Sequence, residues 1–324
     1  LYSFSMKSSG KYDTTIIPKD NDLTLKRSKK YNWGNVVLCD NGILPNDVNN
    51  SKNVNLQRGP NSNSVYGWLT TVRDQSDYLN GVVNLNELGS GVQGASTHAQ
   101  AVFNYMYMTN VASISLNSCL HDFNNWAPNT IDEGFRVVNY SYSDYLDQNS
   151  CFSNHVWTKV DKNPLSKKML WVFAAGNEKS LLTPKTASLC PQNMVSKKEN
   201  ALVVGGAIGR GGVTNKGRTY VDIFANAPTT STATAIVSSL AGNIAKVYPT
   251  LNVTEIKKSI MASAEDEGLP SRSGGIVDRD RAFKAAKVLT EEPSINNYQL
   301  LKSVHCNGRS IFCSVDESWT QRFQ

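Results

Sequence analysis

The sequence has no Cys-x-x-Cys pair, no dense Lys/Arg cluster interleaved with aromatics, no internal repeat and only four histidines. Each absence excludes something. Without paired cysteines at metal-ligand spacing, a zinc site is not expected. A net charge of +6 over 324 residues is mild. With no aromatic-laced basic stretch, nucleic acid is not the expected partner. A membrane span needs about 18 consecutive apolar residues, and no stretch reaches that length. No signal peptide is visible and the chain begins at Leu1 rather than Met. A processed or excised form is therefore expected, and the compartment is not read from the start of the chain.

What is present suits a soluble globular protein. Hydrophobic residues make up 40% of the chain and charged residues 19%, enough for a sizeable core. The length allows one large α/β domain or two small ones. Short apolar runs at Val36–Cys39, Ala112–Leu116, Arg136–Tyr142, Met169–Phe173, Ala201–Gly206 and Tyr220–Phe224 read as strands. Helical patterns at Ser96–Met108 and Thr254–Ala264 lie between and after them. Thr254 and Glu255 are the capping signals expected for the second. Such alternation implies a mostly parallel sheet with helices on both faces, a three-layer α/β fold. Residues 1–34 read as a polar N-terminal arm and 45–65 as a long Asn/Ser/Pro-rich loop. Residues 35–290 form the main domain, and 291–324 a small β-rich C-terminal tail.

Six cysteines occur. Cys39, inside an apolar strand, reads as a buried free thiol. Cys306 and Cys313 flank a turn and form a candidate hairpin staple, which would need an oxidising compartment. Asn49-Asn50-Ser51 and Asn252-Val253-Thr254 match the glycosylation triplet, a pattern that also arises by chance.

Thr229-Thr230-Ser231-Thr232-Ala233-Thr234-Ala235 runs from a hydroxyl-rich loop into a small-residue helix closed by Tyr248-Pro249. A helix with so little side chain belongs in a large core. Ser231 then sits at a helix N-terminus, where free N–H groups and the dipole favour negative charge. A nucleophilic serine needs that setting, and a plain N-cap serine would also occupy it.

Five segments in order resemble the subtilisin-like serine protease family: Val36–Ile43 (VVLCDNGI), Val137–Ser143 (VVNYSYS), Trp171–Glu178 (WVFAAGNE), Thr214–Ala227 (TNKGRTYVDIFANA) and Thr229–Ser239. The resemblance covers roughly residues 33–290. It implies a serine endopeptidase acting on protein or peptide substrates by an Asp-His-Ser triad. Asp40 would orient, Ser231 would attack and Asn177 would stabilise the oxyanion. Ser141, Tyr142, Ser143, Ala175 and Gly176 would bind substrate. No cofactor is implied. Structural calcium is common in the family, but no loop here has a defensible ligand spacing. A secreted or exported location is favoured over the cytoplasm.

The histidine is the departure. The family's H-G-T-H-x-A-G falls on Gly94-Ala95-Ser96-Thr97-His98-Ala99-Gln100-Ala101. Pairing Thr97-His98 with the family's T-H puts Ala95 where the base belongs. It also puts the small Ala101 where close helix packing asks for one. His98 as the base would instead put Phe103 and Asn104 at the small positions, so the Ala95 register is preferred and His98 is the alternative base. Under that register the chain is an inactivated His-to-Ala form of an endopeptidase, or a natural pseudoprotease that binds peptides. His121, His155 and His305 lack motif context. Thr229 replaces the family's glycine before Thr-Ser, and Ser143 stands where a glycine floors the groove.

Overall fold

Val36, Val37, Leu38 and Cys39 offer no polar position at which water could meet the strand, which suits a strand covered on both faces. The computed structural model describes residues 34–40, 54–58, 65–71, 98, 102–103, 105–106, 109–208, 211–212, 214–306 and 315–324. The four residues are fully buried in β1 (Gly34–Asp40). Then follow β2 (Val54–Arg58), β3 (Val65–Thr71), β4 (Thr109–Ser115), β5 (Val137–Tyr140), β6 (Asp144–Tyr145), β7 (Leu170–Ala174), β8 (Leu189–Cys190), β9 (Ala201–Ile208), β10 (Gly211–Gly212) and β11 (Ile223–Asn226).

Nine of these strands form one sheet in the order β2-β3-β4-β1-β5-β7-β9, with β10 and β11 both on β9. The strands β4, β1, β5, β7, β9 and β11 are parallel. The edges β2, β3 and β10 are antiparallel. The chain leaves β1 for β4 on one side and returns to β5 on the other. Connections therefore diverge between β1 and β5, and a crevice opens at the carboxyl ends of these two strands. Asp40 ends β1, and Ser141 follows β5 directly.

Besides the helix that holds His98, Val102 and Phe103, the described helices are α1 (Leu116–His121), α2 (Phe123–Asp132), α3 (Gln148–Asn154), α4 (Trp157–Lys162), α5 (Gln192–Val195), α6 (Thr230–Val247), α7 (Val253–Ser263), α8 (Arg279–Glu291) and α9 (Asn297–His305). Alternate strand residues point to opposite faces, and the buried residues divide accordingly. Val36, Leu38, Val137, Leu170, Val172, Leu202 and Val204 join α6 to α9 in one core. Val37, Cys39, Val138, Trp171, Phe173 and Val203 join α2 and α4 in the other. The result is a three-layer α/β fold. In the second core Trp157 packs edge-on against Trp171 and Phe173, with centroids 4.7 and 5.2 Å apart.

The helix α6 crosses β1 at close range. A Cβ on Gly34 would lie 2.1 Å from the Gly242 carbonyl carbon, and one on Gly242 would lie 2.8 Å from Val36 Cγ2. Side chains at either position would push the helix off the strand.

Several expectations are corrected. Cys39 is not a free thiol: it is disulfide-bonded to Cys119 in α1, the helix that follows β4, with Cα atoms 5.7 Å apart. A second disulfide joins Cys151 in α3 to Cys190 in β8. Cys306 is disulfide-bonded, while Cys313 lies outside the described residues. The tail is helical where it is described, not β-rich. Asn296 caps α9, and Leu300, Leu301 and Val304 bury one face of it. A 3₁₀ segment spans Glu317–Phe323. This tail meets the end of α7, where Arg322 donates to the Met261 and Ala264 carbonyls at 3.2 and 2.6 Å and His305 Nε2 lies 2.7 Å from the Ala262 carbonyl. These side chains meet carbonyls that a helix end leaves unpaired.

The loop expected over 45–65 contains β2, paired antiparallel with β3. The period-2 alternation of Val54-Asn55-Leu56-Gln57 is the short signal that the surrounding Asn and Ser residues obscure. The cap of α7 is Asn252, not Thr254, with Glu255 closing a capping box. Tyr220 is a buried turn residue and the strand begins later, at Ile223. Tyr105 is already in a turn, so the helix containing His98, Val102 and Phe103 ends before the expected Met108. The arm at 1–33, Ala95 and Gly89–Gly94 lie outside the described residues.

Candidate functional site

Ser231 is the second residue of α6 and is nearly buried, at 8% exposure. The helix start around it is heavily tied. Thr229 is the N-cap, and its hydroxyl accepts from Thr232 N–H at 3.3 Å. Its backbone is extended (φ −133°, ψ 158°), a conformation threonine adopts freely, so the missing glycine costs nothing here. Asn177 Oδ1 accepts from the Thr230 N–H at 2.9 Å and the Thr230 hydroxyl at 3.2 Å. The Ala233 N–H is bonded to the Thr229 carbonyl. Of the first three N–H groups of α6, only that of Ser231 has no partner among the described residues. Asn177 Nδ2 is likewise without one there. Two donors therefore remain beside the serine at a helix N-terminus, an arrangement suited to a developing negative charge.

The fold brings His98 between two of these elements. Its Nε2 lies 2.9 Å from Ser231 Oγ and its Nδ1 lies 3.0 Å from Asp40 Oδ1. Ionised Asp40 can only accept, so the ring proton sits on Nδ1 and Nε2 is left to accept from the serine hydroxyl. Asp40 is 4% exposed at the end of β1, whereas the His98 side chain is 42% exposed. The Asp40 hydrogen bond raises the His98 pKa above its ordinary value; partial burial opposes the shift and the Asp40 charge adds to it.

This geometry overturns the preferred register. The histidine placed at Asp40 and Ser231 is His98, the alternative base. The preference for Ala95 rested on Ala101 filling a position of close helix packing, and on Phe103 and Asn104 being too large for such positions; Ala101 and Asn104 lie outside the described residues. Phe103 is instead 5% exposed, inside the core that also holds Val102, Ala233 and Val237. The small residues of α6 leave room that a local size rule does not anticipate.

The expected substrate-binding residues divide into two groups. Ser141 Oγ accepts from Asn139 Nδ2 at 2.9 Å and donates to the Ser231 carbonyl at 3.3 Å. The Ser231 hydroxyl also lies 3.4 Å from the Ser141 carbonyl. Gln192 Nε2 donates to the Tyr142 carbonyl at 2.8 Å and to Ser143 Oγ at 2.7 Å, pinning that segment. Among the described residues the 141–143 segment makes no backbone–backbone hydrogen bond, and the Gln192 and Ser231 side chains meet the Tyr142 and Ser141 carbonyls, so its other backbone groups form a partly open edge. Ala175 and Gly176 differ. The Ala175 N–H bonds Val204, and its carbonyl accepts from Tyr220 and Asn215. The Gly176 N–H bonds Thr230 Oγ1, and its carbonyl accepts from Asn215. They shape the wall of the crevice and offer no free backbone groups.

The three histidines without motif context have other surroundings. His121 is exposed at the end of α1. His155 is buried and pairs with Asp144, with 3.0 Å between Nε2 and Oδ2. His305 meets α7. Among the described residues no group of three or more His, Cys, Asp or Glu side chains is placed to hold a metal ion. No described helix is long and apolar enough to cross a membrane.

The fold is shared with solved structures. It matches the A-subunit of the AB5 toxin from E. coli at TM-score 0.51 and 16% identity, over 82% of this chain and 96% of that one. It matches MycP1 from Mycobacterium smegmatis at TM-score 0.50 and 13% identity, over 83% and 87%. Tripeptidyl peptidase 2 matches at TM-score 0.50 and 12% identity over 70% of this chain, which spans only 21% of that protein. No curated protein sequence matches. The subtilase family pattern matches residues 91–280, more than half of the chain and including both His98 and Ser231. Asp40 lies upstream of that match and is joined to it by the sheet. On the matched residues and the shared fold, the chain belongs to the subtilase family.

Proposed function

We propose that this protein is a serine endopeptidase with Asp40, His98 and Ser231 as its catalytic triad. The observation that carries the reading is His98 bridging Asp40 and Ser231 at hydrogen-bond distance on both ring nitrogens. His98 takes the Ser231 proton as Oγ attacks the scissile carbonyl, then returns it to the leaving amine. Asp40 fixes the tautomer and stabilises the imidazolium that forms. Asn177 Nδ2 and the Ser231 N–H receive the oxyanion. An extended peptide adds to the open edge at Ser141–Ser143 and brings its carbonyl to Ser231. Subtilase membership supports a protein or peptide substrate. The Cys39–Cys119 and Cys151–Cys190 disulfides support a secreted or exported site of action. His98 within hydrogen-bond distance of both partners favours an active enzyme over an inactivated form or a pseudoprotease.

A fluorophosphonate probe with mass mapping of the label tests this. The expected result is labelling of Ser231 in the protein as it stands, lost in Ser231→Ala and in His98→Ala. Labelling that appears only after Ala95→His would restore the discarded register. A folded protein that labels in none of these forms would leave a peptide-binding protein.

A further inference from the structure

Asn215 is fully buried, and its polar groups converge on one turn. Its backbone N–H donates to the Gly176 carbonyl at 3.0 Å. Its Nδ2 donates to the Ala175 carbonyl at 3.0 Å and to Glu178 Oε2. Its Oδ1 accepts from the Ser180 N–H at 2.9 Å. The turn it holds is 175–180, which carries Asn177. That turn contains two left-handed residues, Gly176 at φ +92° and the non-glycine Lys179 at φ +59°. Such conformations persist where surrounding contacts over-determine them. A side chain at Gly176 would be strained at φ +92° and would have to displace the ends of Asn215, Glu178 and Leu189, each 2.5 Å from its Cβ. Among the described residues Asn177 itself hydrogen-bonds only Thr230, through Oδ1, so the placement of its backbone comes from its neighbours. Glu178 extends the brace outward by accepting from the Tyr145 hydroxyl. Burial opposes the Glu178 charge, yet the bonds from Tyr145, the backbone and Asn215 hold its pKa below the ordinary value. The Tyr145 hydroxyl, bonded to that carboxylate, is pushed up to about 12.

We propose that Asn215 is the positioning residue for the oxyanion donor Asn177: it sets the 175–180 turn, and Glu178 and Tyr145 brace it from outside. This rests on the triad reading above. Asn215 contacts neither substrate nor reacting atoms; it acts through Asn177.

A double-mutant cycle on the full chain tests it, with kcat and KM read on a quenched fluorogenic peptide chosen from casein cleavage. Asn177→Ala should lower kcat by about 10²–10³. Asn215→Ser should lower kcat by about 10- to 100-fold, the scale of a small misplacement, with KM within about twofold. In the Asn177→Ala background the same substitution should cost less than about threefold, because the donor it positions is gone. An equal loss in both backgrounds overturns the inference, as does a KM that rises as much as kcat falls. Should Asn215→Ser lose its cooperative thermal transition, Glu178→Ala replaces it. Glu178 is exposed, and its removal should lower kcat in the same way and be absorbed by Asn177→Ala; additivity there is again contrary. Absence of hydrolysis by the unsubstituted protein would overturn the triad reading and this inference with it. Hydrolysis with additive losses would overturn this inference alone.

Discussion

His98 has Asp40 on one ring nitrogen and Ser231 on the other, and this sets a pH dependence. The proposed general-base role needs the neutral imidazole, and the Asp40 hydrogen bond favours the charged one. The acid limb of kcat/KM should therefore have its midpoint above about 6.5. Asp40→Asn should move that midpoint down and lower kcat by about 10⁴. A pH–rate profile whose midpoint is unmoved by Asp40→Asn would deny Asp40 its role. The same shift has a stability sign. A raised pKa contributes stability that is fully present below the unfolded value of about 6.5 and is lost as pH rises through the folded one. At this scale the sequence was only partly legible. Asp40, Ser231 and Asn177 stand in segments whose neighbours identify them. The choice between Ala95 and His98 turned on which helix positions must be small, and that Phe103 fits in the core with α6 is stated by no local pattern.

Between elements, the most consequential polar contact lies under the sheet edge. Asp222 and Arg272 pair at 2.5 Å with exposures of 0% and 8%, and Asp222 Oδ2 also accepts from the Val203 N–H at 2.8 Å. The pair ties the approach to β11 to the β9 strand and to the segment before α8. Arg272→Ala strands a buried carboxylate and should cost about 3–5 kcal/mol. Urea unfolding monitored by tryptophan fluorescence reads this directly; a loss under about 1 kcal/mol would mean that water reaches Asp222 once the guanidinium is gone. Strands and helices were legible because buried parallel strands read as apolar runs and α6 as a small-sided helix. The misreadings came where a signal was short. The strand β2 is five residues long inside an Asn-rich stretch, and α9 buries only Leu300, Leu301 and Val304.

At the scale of the molecule, the Cys151–Cys190 disulfide holds α3 against the small β6/β8 sheet. That sheet begins at Asp144, next to the open edge at Ser141–Ser143. Replacing both cysteines by serine should lower stability by about 2–4 kcal/mol. It should also raise KM more than it lowers kcat, because the edge loosens while Asp40, His98 and Ser231 sit on elements that carry neither Cys151 nor Cys190. Calorimetry and steady-state kinetics on one preparation check the two halves, and an unchanged KM would separate the disulfide from the substrate edge.

The amino-acid order by itself determined the three-layer fold, the strand ending in Asp40, the helix opening with Ser231 and the family. Each of these follows from residues close together in the chain: an apolar run, a small-residue helix, a Gly-Asn turn. Only the tertiary structure placed His98 between Asp40 and Ser231, since those partners lie 58 and 133 residues away from it. It alone paired Cys39 with Cys119, 80 residues apart, and set Asn215 under the turn that carries Asn177. The physical reason is common to all three. Distances between remote segments follow from how two cores pack on one sheet, and that packing is a property of the whole chain.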